Sequence, residues 1–319
     1  MAIATVARTR RRNPLARRER PPRTASQRRD TRAALVFISP WIVGFLVFTA
    51  WPLLYSAYLS FTDYDVINDP SFVGWENYRQ LFEDPKIARS LGNTLFYTMV
   101  QVPLYVLVSL GVAVLLNQAG RAAGFFRTAF YLPNMTPPVA VGVMLLLVFN
   151  GQNGLINEAL GWFGITGPNW TTDGAWVKPS IILMSLWSVG GSVIILLAAL
   201  RDVPPDLYDA ARVDGAGRWH RFRHITVPMI SGALFFVTIV NTIAAFQTFT
   251  ETYTAFWGAG YKNEAALFYV IYLFQQAFEF LNMGYASAMA WVLFVIVLAI
   301  TLVQLKVSKR FVYLEGEQR

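Results

Sequence analysis

Residues 201–228, RDVPPDLYDAARVDGAGRWHRFRHITVP, form the longest strongly polar interval between two apolar runs in the C-terminal half of the chain. Pro204 and Pro205 suit the first positions of a helix, where a missing N–H costs nothing. Asp206 and Asp209 place negative charge where the helix dipole favours it. Leu207, Ala210, Ala211 and Val213 follow at helical spacing. Gly215 and Gly217 end that helix. Arg218 to His224 make a second short basic segment, and Pro228 marks entry into the next apolar run. The pattern predicts a short helix, a glycine turn and a second short helix, carried between two membrane segments.

Outward from this loop the chain is mostly apolar. Of its 319 residues, 55% are apolar and 14% charged. The uncharged runs each match the length needed to cross a ~30 Å hydrocarbon core, which excludes a pair of soluble domains. With no cysteine there is no disulfide framework, thiolate metal site or cysteine nucleophile. The reading is an all-α membrane protein with six spans, at residues 33–61, 93–117, 128–149, 180–200, 229–253 and 284–305. The first holds no Asp, Glu, Lys or Arg and lacks a cleavage site, so it reads as a retained anchor that Pro40 and Pro52 bend. Pro103 should interrupt the second span. Pro133, Pro137 and Pro138 should break the third, which a membrane tolerates where neighbours or a cavity satisfy the freed backbone.

Charge fixes the orientation. The net charge of +8 is concentrated at one end: residues 1–32 hold eleven Arg against Glu19 and Asp30. So Arg-rich and apolar-poor a segment cannot offset the entropy of ordering, and 1–32 reads as a disordered cytoplasmic tail against anionic headgroups. Nucleic-acid binding and mitochondrial targeting are the weaker readings, since no aromatics interleave the arginines and a span follows at once. With both termini inside, the inner segments carry eleven Lys and Arg in the tail, two in the 118–127 turn, five in the 201–228 loop and four at the C-terminal end. The three outer loops carry five. The positive-inside rule decides for this orientation, even without the tail. The domain reading is a basic tail at 1–32, a six-span transmembrane domain at 33–310 with its core at 92–307, and a cytoplasmic tail at 311–319.

Asp209-Ala210-Ala211, three residues, Gly215, then Ile225-Thr226-Val227-Pro228 resembles the cytoplasmic loop of permease subunits in ATP-binding-cassette importers, with Asp209 where that family usually carries Glu. The string Phe72-Val73-Gly74-Trp75-Glu76-Asn77-Tyr78 and Asn93-Thr94-Leu95 resemble the carbohydrate branch, and its maltose-type first permease in particular. The resemblance implies a type I importer permease fold and a loop, 201–228, that fits a cleft on an ATPase subunit. Asp209, Ala210, Ala211, Asp214, Gly215 and Pro228 are the residues it assigns to that coupling. It further implies a second homologous permease, two ATPase subunits that bind ATP and Mg, an extracellular solute-binding protein, and a location in the cell membrane. Where the family usually has Gly-Gly-Pro after the fifth span, this chain has Trp257-Gly258-Ala259-Gly260, which leaves the solute open among oligosaccharides, monosaccharides, polyols and glycerol phosphates.

No phosphate-binding loop occurs, so the chain offers no nucleotide site and reads as no enzyme. His220 and His224 stand i, i+4, but no carboxylate completes a ligand set, and neither metal nor cofactor is expected. The spans hold almost no ionisable residue apart from Glu251, whereas ion-driven carriers need them. Energy should therefore reach the chain from outside. On the fifth span Asn241, Thr248, Glu251 and Thr252 fall near one helical face with Gln247 beside it, a candidate solute path with interhelical hydrogen bonding as the plainer reading. A stand-alone carrier or channel and a non-transporting membrane scaffold are the rival functions. The absence of cysteine makes the orientation testable: a single cysteine at Asp206 should react with impermeant maleimide only from the cytoplasmic side, and one at Gln152 only from outside.

Overall fold

The computed structural model describes residues 25–257 and 264–309. The basic tail through residue 24, the 258–260 stretch, Arg310 and the 311–319 tail lie outside the described residues. The chain divides into two compact units, Met1–Tyr55 and Ser56–Arg319.

In the first unit, α1 (Ala25–Phe45) runs into a π-helical turn, Leu46–Ala50, and then into the opening of α2 (Trp51–Leu59). The sequence reading places residues 25–32 in a disordered tail; the helix instead opens at Ala25. Ala, Gln and Arg oppose a helix little, and the apolar run behind them supplies the costly nucleus. The widened turn has a cause in the sequence. The ring of Pro52 crowds the carbonyl four residues back, and the Trp51 N–H bonds to Leu46, five residues back. Phe37, Trp41, Phe48 and Trp51 are all exposed, as suits an all-round apolar helix in lipid.

The second unit opens on the end of α2 and a small hairpin, β1 (Thr62–Asp63) with β2 (Ser71–Phe72), antiparallel with Thr62 opposite Phe72. Val66 turns the intervening loop at φ 72°, a left-handed conformation that a β-branched residue adopts at a cost. Asp65 offsets it by accepting from the N–H of Asn68 (2.8 Å), its side-chain amide (2.7 Å) and the N–H of Ile67 (3.1 Å). Those donors, the Asn68 backbone first, hold the Asp65 carboxyl below its usual range. Next comes α3 (Glu76–Glu83). The rings of Phe61, Trp75 and Tyr78 meet with centroids 5.0–5.3 Å apart. Buried Asn77 donates to the carbonyls of Ser60 (3.0 Å) and Thr62 (2.9 Å). The 72–78 string is thus a structural clip.

Asp84 caps α4 (Pro85–Gln118), accepting from the Lys86 N–H at 2.9 Å. At 34 residues α4 is the central post, against which the helices Gly190–Asp202 and Ser231–Phe246 are packed. Pro103 does not interrupt it. The helix runs through; one missing N–H leaves only the Met99 carbonyl without its partner, and Met99 is exposed while Gln101, Val102 and Tyr105 beside the proline are buried. The third span is broken as its prolines require: α5 (Ala123–Tyr131), a 3₁₀ turn at Leu132–Met135 and α6 (Pro138–Val148) bend by 98°. After α7 (Leu155–Gly161), the fourth span is α8 (Gly174–Ser185), a 3₁₀ turn at Leu186–Ser188 and α9 (Gly190–Asp202), bent by 50°.

The inner loop supplies α10 (Pro205–Val213), α11 (Arg218–Arg221), a π-turn at Phe222–Thr226 and α12 (Val227–Met229). Pro228 repeats the effect of Pro52: the Val227 N–H bonds to Phe222, five residues back. A 67° bend leads into α13 (Ser231–Phe246). The fifth span does not stay helical to Tyr253. It stops at Phe246, and the chain resumes as α14 (Thr250–Thr252) and a π-turn at Tyr253–Trp257. Finally α15 (Tyr269–Phe274) and a π-turn at Gln275–Glu279 precede α16 (Met283–Ser308). Among the described residues three helices are long and apolar enough to cross a membrane, and counting each of three bent pairs as one span brings the number to six.

Long-range polar contacts tie the outer ends together. Tyr272 and Tyr285 both donate to Asp84 Oδ2, at 2.5 and 3.0 Å. Asn93 donates to the carbonyls of Glu264 and Leu267, and Thr94 accepts from the Tyr269 N–H. Asn77→Ala leaves two carbonyls without their donor and should cost about 1–3 kcal/mol, read as a lower Tm of the purified protein, whereas exposed Phe72→Ala should shift stability by no more than ~0.5 kcal/mol.

Candidate functional site

The breaks in the third and fourth spans interlock. Where the 3₁₀ turn at Leu186–Ser188 meets α9, the Ser188 carbonyl and the Gly191 N–H leave the helical ladder. The Asn134 side-chain amide lies between them, 2.7 Å from the former and 2.5 Å from the latter. That placement sets its nitrogen on the carbonyl and its oxygen on the N–H. Tyr105 of α4 donates to the same carbonyl at 2.9 Å. Gly190 lies so close to the backbone of Phe130 and Tyr131 that no side chain fits there. An amide from one break therefore satisfies the backbone freed at the other, as a membrane demands.

Beside this junction lies a cavity of about 360 Å³. Its walls come from α4 (Tyr97, Gln101, Tyr105), α6, the end of α8, α13 and the broken 247–252 segment. Asn241, Gln247, Thr248, Glu251 and Thr252 all line it. They meet there although Thr248, Glu251 and Thr252 lie beyond the end of α13, so the bend rather than one helical face gathers them. Asn241 also bonds within the protein, to the Val237 carbonyl at 2.8 Å and toward Ser192 Oγ at 3.4 Å. Gln101 Oε1 and Thr252 Oγ1 are buried with no hydrogen-bond partner. Such atoms are rare in folded proteins. Gly142 of α6 gives the 251–254 segment room: a Cβ there would stand 2.7 Å from Thr254 Cβ and 2.9 Å from the Glu251 carbonyl.

Among the described residues the lining holds no Lys, Arg or His, and Glu251 is its one carboxylate. Neutral amides, hydroxyls and the aromatic surfaces of Tyr97, Tyr105 and Phe249 make up much of the rest. This arrangement can hydrogen-bond a polyhydroxylated solute and stack against its apolar faces. The sequence reading missed Tyr97, Gln101, Tyr105 and Asn134. A polar Gln101 inside an uncharged run and an Asn134 between two prolines are the signals that point to them.

The inner loop is a rigid knuckle. Gly215 has φ 77°. The Ala216 N–H bonds to the Ala211 carbonyl (2.9 Å) and the Gly215 N–H to Arg212 (3.1 Å), the paired bonds of a Schellman cap. Asp214 ends α10, its N–H bonded to the Ala210 carbonyl at 3.1 Å. Asp209 pairs with Arg212 at 2.9 Å. Tyr208 and Thr226 hydroxyls meet at 2.9 Å and fasten α10 to the π-turn ahead of Pro228. Ala210 is exposed and Ala211 partly so, while Leu207, Val213 and Trp219 present exposed apolar surface. His220 and His224 stack at 4.1 Å, and His224 Nδ1 faces the His220 carbonyl at 3.0 Å. Among the described residues no group of three His, Cys, Asp or Glu could hold a metal.

Bent spans around a polar, nearly charge-free cavity, with a stiff helical knuckle at the inner face, are the architecture of a membrane permease. The chain belongs to the family of binding-protein-dependent transport system inner membrane components, whose pattern matches residues 87–313. It is 41% identical over 299 residues to the probable ABC transporter permease protein YesP of Bacillus subtilis, covering 93% of this chain and 96% of that one. It is 32% identical to the lactose transport system permease protein LacF of Rhizobium radiobacter, over 84% and 91% of the two chains. Its fold matches a chain of a bacterial ABC transporter involved in the import of the acidic polysaccharide alginate, with a TM-score of 0.78, 23% identity, and coverage of 90% and 98%. It is thus a multi-pass protein of the cell membrane with the fold of an importer permease.

Two substitutions probe the junction. Asn134→Ala frees a buried carbonyl and a buried N–H and should cost about 2 kcal/mol or more in thermal unfolding. Gly142→Val should push the 251–254 segment, costing about 1–3 kcal/mol by overpacking and shrinking the cavity, read as slower maleimide labelling of a cysteine placed at Thr248.

Proposed function

We propose that the chain is one of two homologous permeases of an ATP-driven importer, and that it forms half of the path for an uncharged sugar or polyol. The cavity at the helix breaks carries this reading. It offers hydroxyl-matching groups and aromatic faces, and it offers no cation to a phosphate or a uronate. Several relatives support the sugar class by name: besides LacF, the arabinooligosaccharides transport system permease protein AraP of Bacillus subtilis is 31% identical over 88% of this chain. The glycerol-phosphate permease UgpA of Pectobacterium atrosepticum is also 31% identical, but the cavity lacks the basic residue that such a solute would need. Asn241, Gln247, Thr248 and Glu251 would bond solute hydroxyls, with Tyr97 and Gln101 opposite.

An extracellular solute-binding protein would deliver the solute, and two ATPase subunits, which bind ATP and Mg, would drive release inside. A solved alginate transporter of this fold was captured in complex with alginate pentasaccharide-bound periplasmic protein. Asp209, Ala210, Ala211, Asp214, Gly215 and Pro228 belong to the knuckle that would seat in the ATPase. The two small alanines permit close approach, and Leu207 and Val213 add apolar area. A stand-alone carrier would need ionisable groups in its spans, and a scaffold would need no polar cavity. No residue here is assigned a catalytic role.

Reconstitution of the full assembly in proteoliposomes tests the reading: sugar uptake should require ATP and the binding protein together. Gly215→Val places a β-branched residue at φ 77°, and the left-handed region costs such a residue about 1–2 kcal/mol. ATPase subunits should stay bound while uptake falls roughly tenfold; undiminished uptake by that variant would refute the coupling role. Glu251→Gln should raise KM for the solute by a similar factor without detaching the ATPase.

A further inference from the structure

Behind the knuckle, against α4 and α9, lies a second cavity of about 440 Å³. Among the described residues, Arg212, Arg218 and Arg221 line it together with Asn117, Gln118 and Tyr208, and no lining residue is a carboxylate. Arg212 has a partner in Asp209. Arg221 has none among the described residues: its Nε is buried without a hydrogen bond. A guanidinium cannot shed its charge in a protein, and with Arg212 paired to Asp209, Arg218 and Arg221 still repel one another unless something negative joins them. The last turn of α4 contributes the partial negative charge of a helix C-terminus, only about half a unit, so the cavity stays strongly positive.

Its depth narrows the choice of anion. Asn117 and Gln118 end α4, Leu200 stands near the end of α9, and Thr226 leads into the fifth span. The cavity therefore sits where spans leave the hydrocarbon for the cytosol, at the level of the inner headgroups. Trp219 is 70% exposed and stacks on Phe222 at 5.6 Å, the placement of an interfacial aromatic. Guanidinium forks match the oxygens of a phosphate. We propose that this cavity binds the phosphate of an anionic phospholipid of the inner leaflet, with Arg218 and Arg221 gripping it and the amides of Asn117 and Gln118 closing the site. The site is independent of the solute path, and a lipid held there would stiffen the knuckle against the span ends.

The full chain, purified with the subunits that accompany it, is placed in nanodiscs containing equal parts phosphatidylglycerol and phosphatidylcholine. Lipid retained after transfer to detergent is then counted by native mass spectrometry. Phosphatidylglycerol should be retained over phosphatidylcholine, and Arg218→Gln with Arg221→Gln should lower that retention roughly tenfold or more. The double Lys variant should recover most of it, which separates lost charge from lost folding. Equal retention by wild type and the Gln variant overturns the proposal. So does displacement of the lipid by inorganic phosphate, which would assign the cavity to a soluble anion. Retention that appears only after the ATPase subunits are stripped also overturns it, by giving the cavity to a carboxylate of those subunits.

Discussion

A helix that breaks inside a membrane strands N–H and C=O groups where water cannot reach them. Two of the described spans bend along their length, by 98° and 50°, and a 67° bend joins the inner loop to the fifth. The Asn134 amide, bridging the Ser188 carbonyl and the Gly191 N–H, makes two of those breaks possible at once. Tyr105 adds a second donor from the unbroken post. Without these side chains, the freed backbone would have to return to straight helix or admit water. The rest of the architecture hangs on that junction. It holds α5 against α9 at Gly190, splays α6 from α5, and leaves open the space that becomes the cavity.

The same economy shapes the cavity itself. Straight, closely packed spans would bury Gln101 and Thr252 against hydrocarbon, where an amide or hydroxyl without a partner is strongly unfavourable. Bent spans set both residues in the wall of a polar chamber instead, with Gln101 Oε1 and Thr252 Oγ1 themselves still buried and unpartnered. One carboxylate, Glu251, among neutral amides, hydroxyls and aromatic rings gives the described lining a mild field. The inner knuckle answers a different requirement. Its Schellman cap, its Asp209–Arg212 pair and the Tyr208–Thr226 contact fasten α10 to the turn that leads into the fifth span.

Much of this was legible in the residues, and the parts that were not share a cause. Three prolines within six residues announced the break at 133–138, because no neighbour can restore three missing constraints. A glycine followed by a basic segment announced the knuckle, because the left-handed turn at Gly215 is local chemistry. A single Pro103 announced a break that does not occur, since buried flanking turns hold the helix together around one lost bond. The stop at Phe246 had no herald: residues 247–249 contain neither glycine nor proline. There the chain turns because Phe249 stacks on Tyr253 and meets Phe274, each at 5.0 Å, and Phe274 is a residue that local reading cannot supply. Asn134 was hidden for the same reason, since its partners lie in the next span. The early start of α1 at Ala25 shows the reverse case, in which an arginine-rich stretch inherits helicity from the apolar run on its C-terminal side.

The π-turn at Phe222–Thr226 carries a further consequence. It fits five residues where an ordinary helix would fit four, so everything upstream of it is rotated about the axis by one residue's worth of azimuth, roughly 100°. The compass bearing of the knuckle is thus written into the widened turn that Pro228 enforces. A chain with alanine at that position could relax to regular helix, keep every side chain of the loop, and still aim the whole assembly at the wrong quarter of the horizon.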